Sequence, residues 1–187
     1  MRTENRRLQI VTYPDAVLRK RAMPLRRVTP EILGFIAVMG DVMYDSNGVG
    51  LAAPQVGISL RIIVVDTGDG LQELINPEII EHDGTQTGVE GCLSFPALHG
   101  EVTRAEKVTV RAVNRRGKTV THSGKDLWAR AMQHEIDHLD GVVFTDRVNV
   151  DTLCWVTSDD DDENTVERPT NLEDALKFFE RQAALRV

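Results

Sequence analysis

The sequence has little cysteine, no long apolar run and no excess of positive charge, and each absence removes a class of protein. Two cysteines, Cys92 and Cys154, are too few for a disulfide framework. No apolar stretch approaches the ~20 residues of a membrane-spanning helix. The formal net charge is -7, opposite in sign to that of a general nucleic-acid binder. Residues 1–7 are charged and lead into no signal-type apolar segment, so a cytoplasmic protein that spans no membrane is expected. There is no internal repeat, no domain linker and no Gly-Lys-Ser/Thr ending of a phosphate loop. The 187 residues suffice for one domain with its own core.

What is present points to a metal. Gln133-His134-Glu135-Ile136-Asp137-His138 is a His-Glu-x-x-His motif in a segment that reads as helix. Asp126 is placed to cap its start and Gly141 to end it. Two histidines four residues apart lie one turn apart on one face, so both rings can grip one ion. Glu135 stays near the same rim, where a hydrolase needs a carboxylate beside an activated water. The plain alternative is a helix that carries two surface histidines. A metal needs further ligands, and Cys92 is the candidate, 42 residues before His134, because thiolate binds first-row metals well. A lone cysteine is otherwise a small buried hydrophobe, the role expected for Cys154. No histidine follows His138. An ordinary metallopeptidase would therefore need Asp140, Asp146 or the acidic run 159–163 as its downstream ligand. A metal-stabilised binding domain would need a fourth protein ligand closing the site.

The remaining elements follow from periodicity and punctuation. An irregular arm at 8–25 contains the turn Tyr13-Pro14-Asp15 and a helical turn near Ala16 to Arg19. Thr29-Pro30-Glu31 starts a helix whose stripe of Ile32, Phe35, Ile36, Met39 and Met43 is core. Residues 48–57 form a small glycine-rich loop whose backbone can approach a ligand closely, with Gln55 as its amide donor. Strands are expected at 61–66, 71–75, 78–81 and 142–144. A hairpin of 101–114 with 118–123 turns at Arg115-Arg116-Gly117. The acidic run 159–163 reads as a solvated loop, and residues 171–186 as a terminal helix.

Three stretches together resemble one family, the peptide deformylases. They are Gly48-Val49-Gly50-Leu51-Ala52-Ala53-Pro54-Gln55, Glu90-Gly91-Cys92-Leu93-Ser94 and Gln133 to His138, in that order. The Tyr13-Pro14-Asp15 arm and Arg104 are similar to the family as well, and the resemblance covers roughly residues 8–148. It implies an α+β fold in which mostly antiparallel strands surround a central metal-binding helix. We expect an N-terminal helix and a C-terminal helix packed outside, in a single domain of residues 1–187 whose C-terminal extension from 150 matches no family motif. The resemblance implies a hydrolase that removes the formyl group from the N-terminal formylmethionine of nascent chains. Cys92, His134 and His138 would hold one divalent metal, iron(II) natively, with zinc, nickel or cobalt able to replace it. Glu135 would be the general base, and the Gln55 amide and the Leu93 N–H would hold the oxyanion. Gly50 and Leu93 would pair with the peptide, while Val49, Leu127 and Ala131 border the methionine side chain. Arg104 would meet the substrate backbone or its distal end, and Glu90 would orient the Gly50 loop. Arg130 departs from the pattern, since the family usually has an apolar residue there, facing the methionine pocket.

Overall fold

The computed structural model describes residues 8–158 and 165–185; the acidic run 159–163 lies outside the described residues. The Thr29 signal produces a helix, α1 (Pro30–Asp45), with the Thr29 hydroxyl accepting from the Ile32 N–H. Its buried positions are Ile36, Met39, Gly40 and Met43, the spacing of one helical face. They pack on a five-stranded antiparallel sheet ordered β1 (Gly50–Ala52), β2 (Ile62–Val65), β3 (Gln72–Asp83), β6 (Lys107–Val113) and β7 (Thr119–Lys125).

The second helix, α2 (Asp126–Leu139), covers the opposite face of that sheet. Strand β2 shows why. Ile62 and Val64 pack with Met39 and Met43 of α1, while Ile63 and Val65 pack with Met132, Ile136 and Leu139 of α2. A strand with both faces covered needs apolar residues at every position, hence Ile-Ile-Val-Val.

A four-stranded antiparallel sheet lies on the other side of α2, ordered β4 (Gln86–Cys92), β5 (Phe95–Arg104), β8 (Cys154–Ser158) and β9 (Thr165–Pro169). The terminal helix α3 (Leu172–Ala184) is capped by Asn171, whose side chain accepts from the Asp174 N–H. It buries Ala175 and Phe179 against this sheet. The Phe95 ring is the hub, with Tyr13 at 5.3 Å and Phe144 and Phe179 both at 5.4 Å between centroids. Among the described residues no helix is long and apolar enough to cross a membrane.

The expected class, antiparallel strands around a metal-site helix with two outer helices, is the one observed. Several local expectations change. Segments 71–75 and 78–81 are one strand, because a bulge between Ile75 and Glu78 absorbs Pro77, which has no N–H for the ladder. The hairpin begins at Lys107, not at 101, since β5 continues to Arg104 in the other sheet. Residues 142–144 are not a strand; Phe144–Asp146 form a helical turn. Asp126 is the first helical residue and Lys125 its cap, because β7 runs straight into α2 and leaves no capping turn. Gly141 does stop the helix, at φ 76°, and a Cβ there would lie 2.8 Å from the Arg19 carbonyl oxygen.

Phe95→Ala should lower unfolding free energy by about 3–5 kcal/mol, the range for deleting a fully buried aromatic ring. Urea or thermal unfolding reads it, and a loss under 1 kcal/mol would show that the ring is not the hub of this sheet.

Candidate active site

The turn Leu93-Ser94 joins β4 to β5 and leaves Cys92 at the end of a strand, opposite Phe95. Helix α2 brings His134 and His138 to the same place. The ligand atoms of Cys92, His134 and His138 all lie within 4.8 Å of one another, and Cys92 Sγ is 3.3 Å from His138 Nε2. A tetrahedral ion with nitrogens at ~2.1 Å and sulfur at ~2.3 Å has edges of roughly 3.4–3.6 Å, so this set fits a divalent metal. His134 supports the fit. Its Nδ1–H donates to Glu90 Oε2 at 2.9 Å, which leaves Nε2 as the ligating atom. Burial holds the His138 ring well below its ordinary pKa, in the neutral form that ligates. At His134 burial is outweighed by hydrogen bonds to Cys92 and Glu90 that raise it well above its own, so a metal binding there displaces a proton.

Glu90 is enclosed by donors. Arg104 reaches it with Nε to Oε1 at 2.6 Å and Nη2 to Oε2 at 2.9 Å, and Arg130 Nη1 adds a bond to Oε1 at 2.7 Å. Burial opposes ionisation of this carboxyl, but hydrogen bonds from His134 and Arg104 outweigh it and hold Glu90 well below the usual carboxylate range. Arg104 continues the chain of charges to Asp137 at 2.7 Å, and the half-exposed Arg147 closes on Asp137 at 2.6 and 2.7 Å.

Glu135 is buried, and its Oε2 has no hydrogen-bond partner among the described residues. Burial pushes its carboxyl up to about 7, against the pull of His134 and Arg104. Gly50 makes room for it: a Cβ on Gly50 would sit 2.5 Å from Glu135 Oε1 and 2.8 Å from its Cγ. Gln55 is anchored from both ends. Its backbone carbonyl accepts from the Val11 N–H and its side-chain oxygen from the Ala52 N–H, both at 2.8 Å. The amide nitrogen therefore turns to the site, 3.7 Å from Cys92 Sγ and 3.4 Å from Ser94 Oγ.

These groups open on a cavity of about 610 Å³. Val49, Gly50, Gln55, Leu93, Leu127 and Ala131 line it, together with Cys92, His134 and Glu135. A cavity of this size with a carboxylate, an amide and a thiol–imidazole cluster at its base suits a metallohydrolase acting on a peptide-sized substrate. Two expectations change. Arg104 does not line the cavity; its side chain is 3% exposed and its guanidinium is committed to Glu90 and Asp137. Glu90 orients His134, not the Gly50 loop.

A family model described as polypeptide deformylase matches residues 7–152. The chain belongs to the peptide deformylase family. The deformylase of Halothermothrix orenii is 55% identical over 143 residues, covering 75% of this chain and 93% of that protein. The crystal structure of the Thermotoga maritima peptide deformylase superposes with a TM-score of 0.75 at 45% identity, over 76% of this chain and 97% of that one. A plant peptide deformylase superposes with a TM-score of 0.81 at 31% identity, over 100% of this chain and 96% of that one.

Sequence reasoning missed the partners that this deformylase site shares around Glu90. Arg130, His134 and Asp137 are three and four residues apart on α2, a helix-face pattern that was open to reading. That the face meets Glu90 and Arg104 depends on how β4 and β5 pack on it.

Glu90→Gln keeps the shape of residue 90 and removes its charge. Zinc affinity, read by chelator competition, should fall at least ~10-fold, as for outer partners of ligating histidines elsewhere. Wild-type affinity in this variant would separate Glu90 from the metal centre.

Proposed function

We propose that the chain removes the formyl group from the N-terminal formylmethionine of newly made polypeptides through the residues gathered in this cavity. The observation that supports the site most directly is the convergence of the Cys92 sulfur with the His134 and His138 rings, beside a Glu135 Oε2 that has no hydrogen-bond partner among the described residues. Cys92, His134 and His138 would hold the divalent metal. A metal held there would supply Lewis acidity to activate water near neutral pH and to polarise the formyl group.

The chain's own groups do the rest. Glu135 Oε2 accepts the proton of the attacking water and passes it to the departing amine nitrogen as the formyl C–N bond breaks, giving formate and a free amino terminus. A carboxyl buried as Glu135 is has a proton affinity suited to both transfers near neutrality. The Gln55 amide N–H and the Leu93 backbone N–H hold the developing oxyanion. The peptide lies extended against Gly50 and Leu93 as an added strand, with its first side chain bordered by Val49, Leu127 and Ala131. Arg104 acts through Glu90 on His134, without touching substrate.

The thiolate ligand favours a softer divalent ion, and we assign iron(II) as the native metal, with zinc, nickel or cobalt as substitutes. The site of action is the cytoplasm, on chains leaving the ribosome, with no nucleic-acid or membrane partner of its own. The described residues of the C-terminal extension belong to the same domain, since α3 shares the Phe95 core with β5. Metal analysis of anaerobically purified protein, with formylmethionyl and unblocked peptides compared as substrates, tests the whole reading. Cleavage of the unblocked peptide alone would replace it with an ordinary peptidase.

Glu135→Ala should retain metal and lose at least ~10²-fold in kcat; a near-normal rate would remove it as the base. Gln55→Leu should lower kcat by about 10²-fold with little change in KM. An effect on KM alone would assign the amide to substrate binding.

A further inference from the structure

Arg130 remains unused by the reaction just described. It lies on the cavity side of α2, one turn before His134, and only 8% of it is exposed. A buried guanidinium requires partners for its charge and its N–H groups. Its Nη1 meets three acceptors: Glu90 Oε1 at 2.7 Å, the Val102 carbonyl at 2.9 Å and the Gly88 carbonyl at 3.2 Å. Nη1 carries two hydrogens, so Glu90 and Val102 take the short bonds and Gly88 shares. One nitrogen thus joins α2 to β4 through Gly88 and Glu90, and to β5 through Val102. Nη2 reaches the Gln86 carbonyl at 3.5 Å. Gly88 is shaped to this arrangement, because a Cβ there would lie 3.3 Å from Arg130 Nη2.

We propose that Arg130 is a positioning residue that fixes Glu90 against His134 and, from the same nitrogen, sets the β4 wall of the substrate cleft. The two tasks differ physically. Holding Glu90 needs a positive donor at Oε1, which any cation of the right reach supplies. Holding Glu90 and Val102 through Nη1 while Nη2 reaches the Gln86 carbonyl needs two nitrogens in one plane, a fork that lysine lacks. The first task acts on the metal, and the second on the peptide. The cleft half rests on the deformylase reading above; the metal half does not.

The test compares Arg130→Leu, Arg130→Lys and Gly88→Ala. It reads zinc affinity by chelator competition, the visible spectrum of the cobalt(II) form, and kcat and KM on a formylmethionyl peptide. Arg130→Leu should lose at least ~10-fold in zinc affinity, shift the cobalt spectrum and raise KM several-fold. Arg130→Lys should recover most of the zinc affinity and the wild-type cobalt spectrum while KM stays raised. Gly88→Ala should raise KM with zinc affinity intact. Wild-type zinc affinity and KM in Arg130→Leu overturn the proposal, as does full recovery of KM by lysine. Should Arg130→Leu fail to fold, an unchanged KM in both of the other variants overturns it. If the wild type does not turn over formylmethionyl peptides, the deformylase reading fails on that result alone. Zinc affinity and the cobalt spectrum then decide whether Arg130 holds Glu90.

Discussion

Helix α2 must bury two unlike faces at once, and the rest of the site depends on that constraint. Its apolar face, with Met132, Ile136 and Leu139, is held by the five-stranded sheet. That contact fixes the rotation of the helix about its axis. The opposite face, with Arg130, His134 and Asp137, is then committed to β4 and β5. A helix turned by one residue, about 100°, would bury charged groups against Ile63 and Val65. The apolar contact therefore aims the histidines, although Met132, Ile136 and Leu139 lie outside the Cys92–His134–His138 cluster.

The polar face is tolerable in a dry interior only because its charges alternate. Arg147, Asp137, Arg104, Glu90 and Arg130 form a line from the surface inward, each within 2.9 Å of the next. Removing one partner from such a buried series leaves an uncompensated charge, which costs about 3–5 kcal/mol where it has been measured. The series also ends on a ligand. Glu90 accepts the hydrogen bond of the His134 Nδ1–H and so leaves Nε2 for the Cys92–His138 cluster. Structural compensation and ligand orientation are the same set of bonds here.

Much of the chain was legible beforehand, for reasons that can be named. The cap at Thr29 and the stripe from Ile36 to Met43 define α1 because capping and periodicity are local. Gly141 stops α2 for the same reason. Asn171 to Phe179 likewise announces α3. The failures are equally specific. The boundary of β5 was misplaced because Glu101 to Arg104 reads as strand in either sheet, and only pairing with β4 assigns it. The hairpin of β8 and β9 is not legible because Cys154 and Trp155 are tied to His99 and Leu98 of β5, distant in sequence. Arg104 was sent to the substrate because an arginine near a site looks available until its partners are known.

The sequence alone determined the chemistry: a thiol, two imidazoles four residues apart, a carboxylate between them and an amide on a glycine-rich turn. Residue type sets donor softness, proton affinity and hydrogen-bonding capacity, and those travel with the residue. Tertiary structure decided what each group faces. It left Glu135 Oε2 without a hydrogen-bond partner among the described residues, let Gly50 come within contact of Glu135, and gave Glu90 to His134. It also withdrew Arg104 and Arg130 from solvent. Burial and non-local packing control desolvation and direction, and neither is a property of any short stretch of chain.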